Sequence, residues 1–229
     1  MSSSPTDNNP WFSTQYFQSP SQRQEYIHGA LEHIELTAIS VVIGLIVALS
    51  LALLIRRFPA FEGLVVGLSD AMYAIPSIAL FSLLLPFTGL SIIGPIIGLA
   101  LYTQLILVRS ILEGLRSVSP DAIEAANGLG YGPVRRLLKV ELPLALPVIF
   151  SGIRVATVST VGLLTVAFAL SHGGLGQVLT LGYSNNLYKQ QVLDAVLGII
   201  VIAVGFDLLI QLTARLATPW TRRTGRATA

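Results

Sequence analysis

Five apolar stretches dominate the sequence, near Leu31–Ile55, Phe61–Leu85, Ile92–Leu112, Leu144–Leu170 and Val192–Leu216. Each is long enough for a bilayer crossing, which takes roughly 20 residues. Hydrocarbon offers no partner for a backbone N–H or C=O, so an unbroken apolar run of this length satisfies itself as a helix. Composition agrees: 53% of residues are hydrophobic, 11% are charged and the mean hydropathy is +0.72. A soluble domain carries about 25% charged residues. The expected fold is therefore all-α, a multi-pass transmembrane bundle with five spans, no internal repeat and little chain left for a second domain. Pro76 inside the second stretch and Pro147 near the start of the fourth are expected to kink or locally open their helices. The absence of cysteine excludes disulfides, thiolate chemistry and a Cys-ligated metal.

Three regions follow. Residues 1–30 form a polar tail rich in Ser, Gln, Asn and Pro, without the basic start and apolar core of a signal peptide. Its aromatics Trp11, Phe12, Tyr16, Phe17 and Tyr26 fit either a lipid interface or a mobile tail. Residues 31–216 hold the spans and a long polar loop, 113–143, and residues 217–229 are a basic tail. With that loop in the cytoplasm, 12 of the 14 Lys and Arg residues fall on the inner side, and only Arg23 and Lys189 fall outside. The opposite orientation inverts the positive-inside rule. The N-terminus is thus expected outside and the C-terminus in the cytoplasm.

Enzyme signatures are missing. A phosphate-binding loop needs Gly-Lys followed by Ser or Thr, but the two lysines follow Leu138 and Tyr188. No G-x-S-x-G elbow occurs either. His28 and His33, with Glu32 and Glu35 nearby, read as a solvated helix start rather than a metal site. No catalytic residue, metal ligand, cofactor or nucleic-acid contact is assigned to the chain. A membrane-embedded enzyme built on Asp70, His172 or Glu113 is a distant alternative.

The loop itself carries order. Ser119 can cap a helix, Pro120 suits its first position, and Asp121 and Glu124 favour its positive end. Gly128-Leu129-Gly130-Tyr131-Gly132 breaks that helix, and Pro133 can start a second short one. Helix signals alone fit any cytoplasmic loop. The spacing is more particular: Glu124-Ala125-Ala126, three residues, Gly130, nine residues, Val140, one residue, Leu142-Pro143. This resembles the EAA loop of binding-protein-dependent ABC importer permeases, which usually have Ile where Val140 stands. The resemblance implies a coupling helix docking on a cytoplasmic ATPase through Asp121, Glu124, Ala125, Ala126, Gly128, Gly130, Leu142 and Pro143. ATP and Mg would sit on that partner.

Further segments are similar to the osmoprotectant branch of the family, which imports glycine betaine, carnitine and choline: Ala74–Leu80, Val140–Pro147, Ser151–Val158 and the loop His172-Gly173-Gly174-Leu175-Gly176. The resemblance covers roughly Leu31 to Leu216. It implies a type I importer fold in the bacterial inner membrane, among membrane lipids. It also implies two ATPase subunits, a second permease subunit (a heterodimer in preference to a homodimer) and an extracytoplasmic substrate-binding protein. Import of methionine or another small polar nutrient is the alternative cargo. The glycine loop reads as an outer gate or as a tight interhelical turn, and Gln177 to Gln191 as a polar surface that receives the binding protein. Asp70, an acid inside a span, is either pore-facing or paired in the bundle. Tyr73, Ser77, Gln104, Thr160 and Thr165 join it as candidate path residues. Asp207 is expected to pair with an arginine at similar depth, Arg154 or Arg109.

Overall fold

The structure is a computed structural model and describes residues 15–170, 173–185 and 187–220. Every described element is helical: α1 (Gln15–Gln18), α2 (Pro20–Arg57), α3 (Glu62–Ala74), α4 (Ser77–Thr88), α5 (Ile93–Arg116), α6 (Pro120–Gly128), α7 (Pro133–Arg136), α8 (Leu142–Leu170), α9 (Gly174–Ser184) and α10 (Lys189–Ala217). A 3-10 turn, Pro59–Phe61, precedes α3, and a π-helical segment, Leu137–Glu141, joins α7 to α8. Among the described residues four helical runs are long and apolar enough to cross a bilayer, and the number rises to five if α3 and α4, which pass the same test only as a pair, count as one span.

The breaks follow from the sequence. Pro76 sits at φ −56°, ψ 133° and caps α4, and a proline disfavours the helical region for the residue before it, here Ile75. The second apolar stretch is therefore two helices. α8 continues through Pro147. The helix from Pro133 is not a separate short one, because the π segment carries it into α8 as a single run, Pro133–Phe168. α2 starts at Pro20, not near Leu31. Pro20 occupies a first-turn position whose N–H is not needed, and the Arg23 N–H donates to the Ser19 carbonyl at 3.1 Å. α2 ends on Arg56 and Arg57, whose charges suit a helix C-terminus.

The chain divides into two compact units. The first comprises Met1–Val41, Ile75–Ala100 and Thr157–Gly205. Its apolar centre is Leu36, Phe81, Leu99, Leu164, Ala167 and Phe168. His33 is fully buried here, and its Nε2 donates to the Val161 carbonyl at 3.1 Å. It is part of the packing, not of a solvated helix start. Tyr16 is fully buried as well, with Tyr26 and Tyr188 edge-on at 6.5 and 6.0 Å. Burial, then the Glu25 and Asp194 carboxylates, pushes its phenol above the ordinary tyrosine range. Tyr16 and Gly29 are therefore taken into the packing while Phe17 and Ile27 stay exposed, and Trp11 and Phe12 lie outside the described residues.

The second unit comprises Val42–Ala74, Leu101–Ala156 and Phe206–Ala229. Ala48, Ala52, Ile55, Leu107, Val108, Ile111, Leu112, Ala145 and Ile149 form its core. Small residues let the helix backbones approach: a Cβ added at Gly114 would stand 3.0 Å from the Ala145 carbonyl oxygen. Arg154 Nε and Nη2 donate to the two Asp207 carboxylate oxygens at 2.7 and 2.8 Å. Asp207 thus takes Arg154, one of the two partners its depth allowed.

Candidate functional site

The Ser119–Pro143 segment lies in the second unit, and its first helix and glycine turn have the anticipated local structure. Ser119 Oγ accepts the Ala122 N–H at 3.3 Å, with Pro120 at the first helical position of α6. The helix closes on a left-handed residue, Gly130, at φ +73°. The Gly130 N–H donates to the Asn127 carbonyl at 2.9 Å and the Tyr131 N–H to the Ala126 carbonyl at 3.1 Å. That pair of bonds is the Schellman ending, and its left-handed position is the one where a side chain is strained. The Arg135 guanidinium lies over the Tyr131 ring, 4.3 Å from its centroid.

The two alanines divide their work. Ala126 is buried at 3% exposure and seats α6 on the chain. Asp121, Glu124, Ala125, Gly128 and Leu129 are exposed, and Leu142 and Pro143 begin α8 half-buried. The turn thus presents a small, mixed polar and apolar surface on a rigid support.

The support is a side-chain network that the sequence reading missed. Glu141 is 4% exposed. Its carboxylate accepts from Arg56 Nη2 at 2.9 Å, from Arg56 Nη1, and from Arg136 Nε at 2.7 Å. Arg136 Nη1 donates onward to Asn127 Oδ1 at 2.7 Å. The end of α2, the start of α8 and the last turn of α6 are therefore tied through one buried acid. Arg136 and Glu141 are five residues apart, which places them about 140° apart around an α-helix. The i→i+5 bonding of Leu137–Glu141 closes that gap. A lone acid between apolar residues at the head of a span was the available signal; the π turn that pairs it was not readable.

The candidate path residues divide between the units. In the second unit, Arg109 Nη2 donates to both Asp70 oxygens at 2.7 Å, and the side chains keep 50% and 45% exposure. Tyr73, 45% exposed, has its ring 5.9 Å from that of buried Tyr102. Gln104 is buried, and its Nε2 donates to the Gly44 carbonyl at 3.2 Å. In the first unit, Ser77 opens α4 half-buried, Thr160 is buried and Thr165 donates to the Val161 carbonyl at 3.3 Å. Gln104 and Thr160 stand within the packing of the chain, whereas Asp70 and Tyr73 are open.

The glycine loop also belongs to the first unit, with His172 outside the described residues. Gly174 starts α9 at φ +56°, and its N–H donates to Glu32 Oε2 at 2.7 Å. The Gly173 N–H donates to Gln177 Oε1 at 2.7 Å. Leu175 and Gly176 are buried, and a Cβ at Gly176 would lie 2.5 Å from the Thr165 carbonyl. Beyond the loop, Gln190 and Gln191 are buried at 1% and 3% exposure, and Gln190 Oε1 accepts the Tyr16 N–H. The polar run Gln177–Gln191 is thus only partly a surface. Among its described residues Tyr183, Ser184, Asn185 and Leu187 are exposed.

Residues 40–223 match the sequence profile of the family described as binding-protein-dependent transport system inner membrane component. The chain belongs to that family. It is the permease subunit of an ABC importer, a membrane component rather than a catalytic one. Among curated relatives, the permease resembles the choline transport system permease protein OpuBB of Bacillus subtilis, 30% identical over 85% of this chain and 89% of the relative. The glycine betaine/carnitine/choline transport system permease protein OpuCB of the same organism is 30% identical over the same shares. The osmoprotectant import permease protein OsmW of Salmonella typhimurium is 34% identical over 82% of this chain and 89% of the relative. Among solved structures, the inward-facing MetNI methionine ABC transporter aligns at TM-score 0.70 and 24% identity, covering 87% of the permease and 97% of that chain. An amino acid ABC transporter with histidines aligns at 0.73 and 17%, covering 89% and 99%. At these identities the two structures speak for the fold alone, that of type I importer permeases.

Proposed function

We propose that this permease forms the translocation path of an importer for quaternary-amine osmoprotectants such as glycine betaine, carnitine or choline, and that a separate cytoplasmic ATPase drives it through Ser119–Pro143. One observation carries the mechanical part: α6 and the Gly130 turn expose Glu124, Ala125 and Leu129 while the Arg56–Glu141–Arg136–Asn127 network fixes the turn to two membrane helices. A force applied at the exposed turn reaches α2 and α8 through charge-assisted hydrogen bonds, among the stronger non-covalent links in a protein. Closure of an ATPase dimer on ATP would then move the helices that bound the path. The chain supplies no phosphate-binding loop, so the energy enters from that partner.

The basic residues set the direction. Arg56, Arg57, Arg116, Arg135, Arg136 and Lys139 gather at one set of helix ends, and the positive-inside rule supports the reading with the turn and the C-terminus in the cytoplasm and the N-terminus outside. An extracytoplasmic binding protein delivers the solute at the other side. A second permease subunit completes the path, a different chain in preference to a copy. The cargo assignment leans on the names of the relatives.

The test is to purify the permease with its associated proteins and measure solute-stimulated ATP hydrolysis and uptake. Leu129→Cys should react with an impermeant thiol reagent only from the cytoplasmic side. Labelling from outside alone, or the absence of an ATPase, would overturn the coupling. An associated binding protein that holds methionine and no quaternary amine would overturn the cargo.

A further inference from the structure

Asp70 and Tyr73 are three residues apart on α3, and Tyr102 and Arg109 are seven apart on α5. Both spacings place the residues on one face of their helix. The faces meet twice, through the Asp70–Arg109 ion pair and through the Tyr73–Tyr102 ring contact at 5.9 Å. Arg109 lies seven residues before the end of α5, about 10 Å inside the helix at 1.5 Å per residue. Charged side chains at such depth are costly against lipid and face a protein interior or water. Yet Asp70, Arg109 and Tyr73 keep 45%, 50% and 45% exposure. This face is therefore turned to something other than lipid. A half-open pair in which one guanidinium nitrogen serves both carboxylate oxygens is also easily shared with another ligand.

Resting on the osmoprotectant reading above, we propose that Asp70, Tyr73, Tyr102 and Arg109 form a recognition site in the permease itself for a zwitterion carrying a quaternary ammonium group and a carboxylate. The solute carboxylate takes Arg109 from Asp70. The ammonium, which has no N–H to donate, takes the released Asp70 charge and the open Tyr73 ring, which buried Tyr102 supports edge-on. Each charge leaves one partner for another, so the site stays neutral throughout and no unpaired ion is created in the membrane. A solute with only the cation satisfies half of the exchange and leaves Arg109 unpaired.

The experiment uses the complete importer in proteoliposomes, with uptake of glycine betaine (both charges) and choline (cation only) measured side by side. Arg109→Gln should lower glycine betaine uptake at least ten-fold more than choline uptake, and Asp70→Asn should lower both. The double variant Asp70→Asn/Arg109→Gln separates recognition from structure. A merely structural pair is relieved when both charges go, so recovery of glycine betaine uptake in the double variant overturns the proposal; continued loss, with normal assembly by gel filtration, supports it. Equal loss of both solutes in Arg109→Gln also overturns it. A wild-type importer that carries choline but no carboxylated betaine removes the ligand for this site, leaving the osmoprotectant reading intact. One that carries neither solute overturns that reading itself.

Discussion

Two ion pairs in the second unit have the same chemistry and opposite settings. Glu141 is sealed at 4% exposure between Arg56 and Arg136, with an amide, Asn127, completing the set. Asp70 and Arg109 are half-exposed, and among the described residues their ion pair is with each other. A buried acid with two guanidiniums has no alternative partner, so it fixes geometry; removing it strands two cations. An open pair contributes little to stability and keeps its ions available for exchange. Burial, not residue type, separates the strut from the contact that can be remade.

The largest effect is expected where the strut is cut. Glu141→Ala should destabilise the permease by about 3 kcal/mol, the low end for a broken buried pair because both arginines keep partial solvent contact. A thermal melt in detergent and co-purification of the ATPase measure it, and an unchanged melt with full ATPase recovery breaks the comparison. Next comes Gly130→Val, which forces a branched side chain into a left-handed position at roughly 1–2 kcal/mol. Membrane insertion should persist while solute-stimulated ATP hydrolysis falls; normal stimulation and uptake would remove the turn from coupling. Asp70→Asn should shift stability by less than about 1 kcal/mol while changing uptake, which sharpens the contrast with Glu141. A large drop in the melt would mean the open pair is structural after all. Smallest of all, Arg116→Gln removes a pair with Glu62 that is 60% exposed on the arginine side, and neither melt nor uptake should move measurably.

Much of this was readable from residue order. The spans followed from apolar length, the break at Ile75–Pro76 from proline sterics, the Ser119 cap and Gly130 turn from local chemistry, and the Asp207 pairing from matched depth. What escaped depended on tertiary phase. Glu141 meets Arg136 only because a π turn intervenes, and no propensity marks that turn. His33, Gln190 and Gln191 look like solvent residues in isolation, yet each is taken inside the packing. The early start of α2 had a visible cue, since Ser19-Pro20 repeats the Ser119-Pro120 signature, but the polar run after it masked the helix. The split of the path candidates into open Asp70 and Tyr73 and enclosed Gln104 and Thr160 required neighbours that spacing does not supply.

The π segment has a consequence for how such a chain can vary. A helix advances about 100° per residue, and the π turn already absorbs one extra residue, so inserting a further residue into Leu137–Glu141 would swing everything upstream around the axis of α8 by that angle. Arg136 would lose Glu141, and the exposed turn would point in another direction while every membrane span kept its length. Insertions between Arg136 and Leu142 should therefore be far less tolerated than changes of residue there, and a chimaera joined inside this segment should work only when it adds no residue.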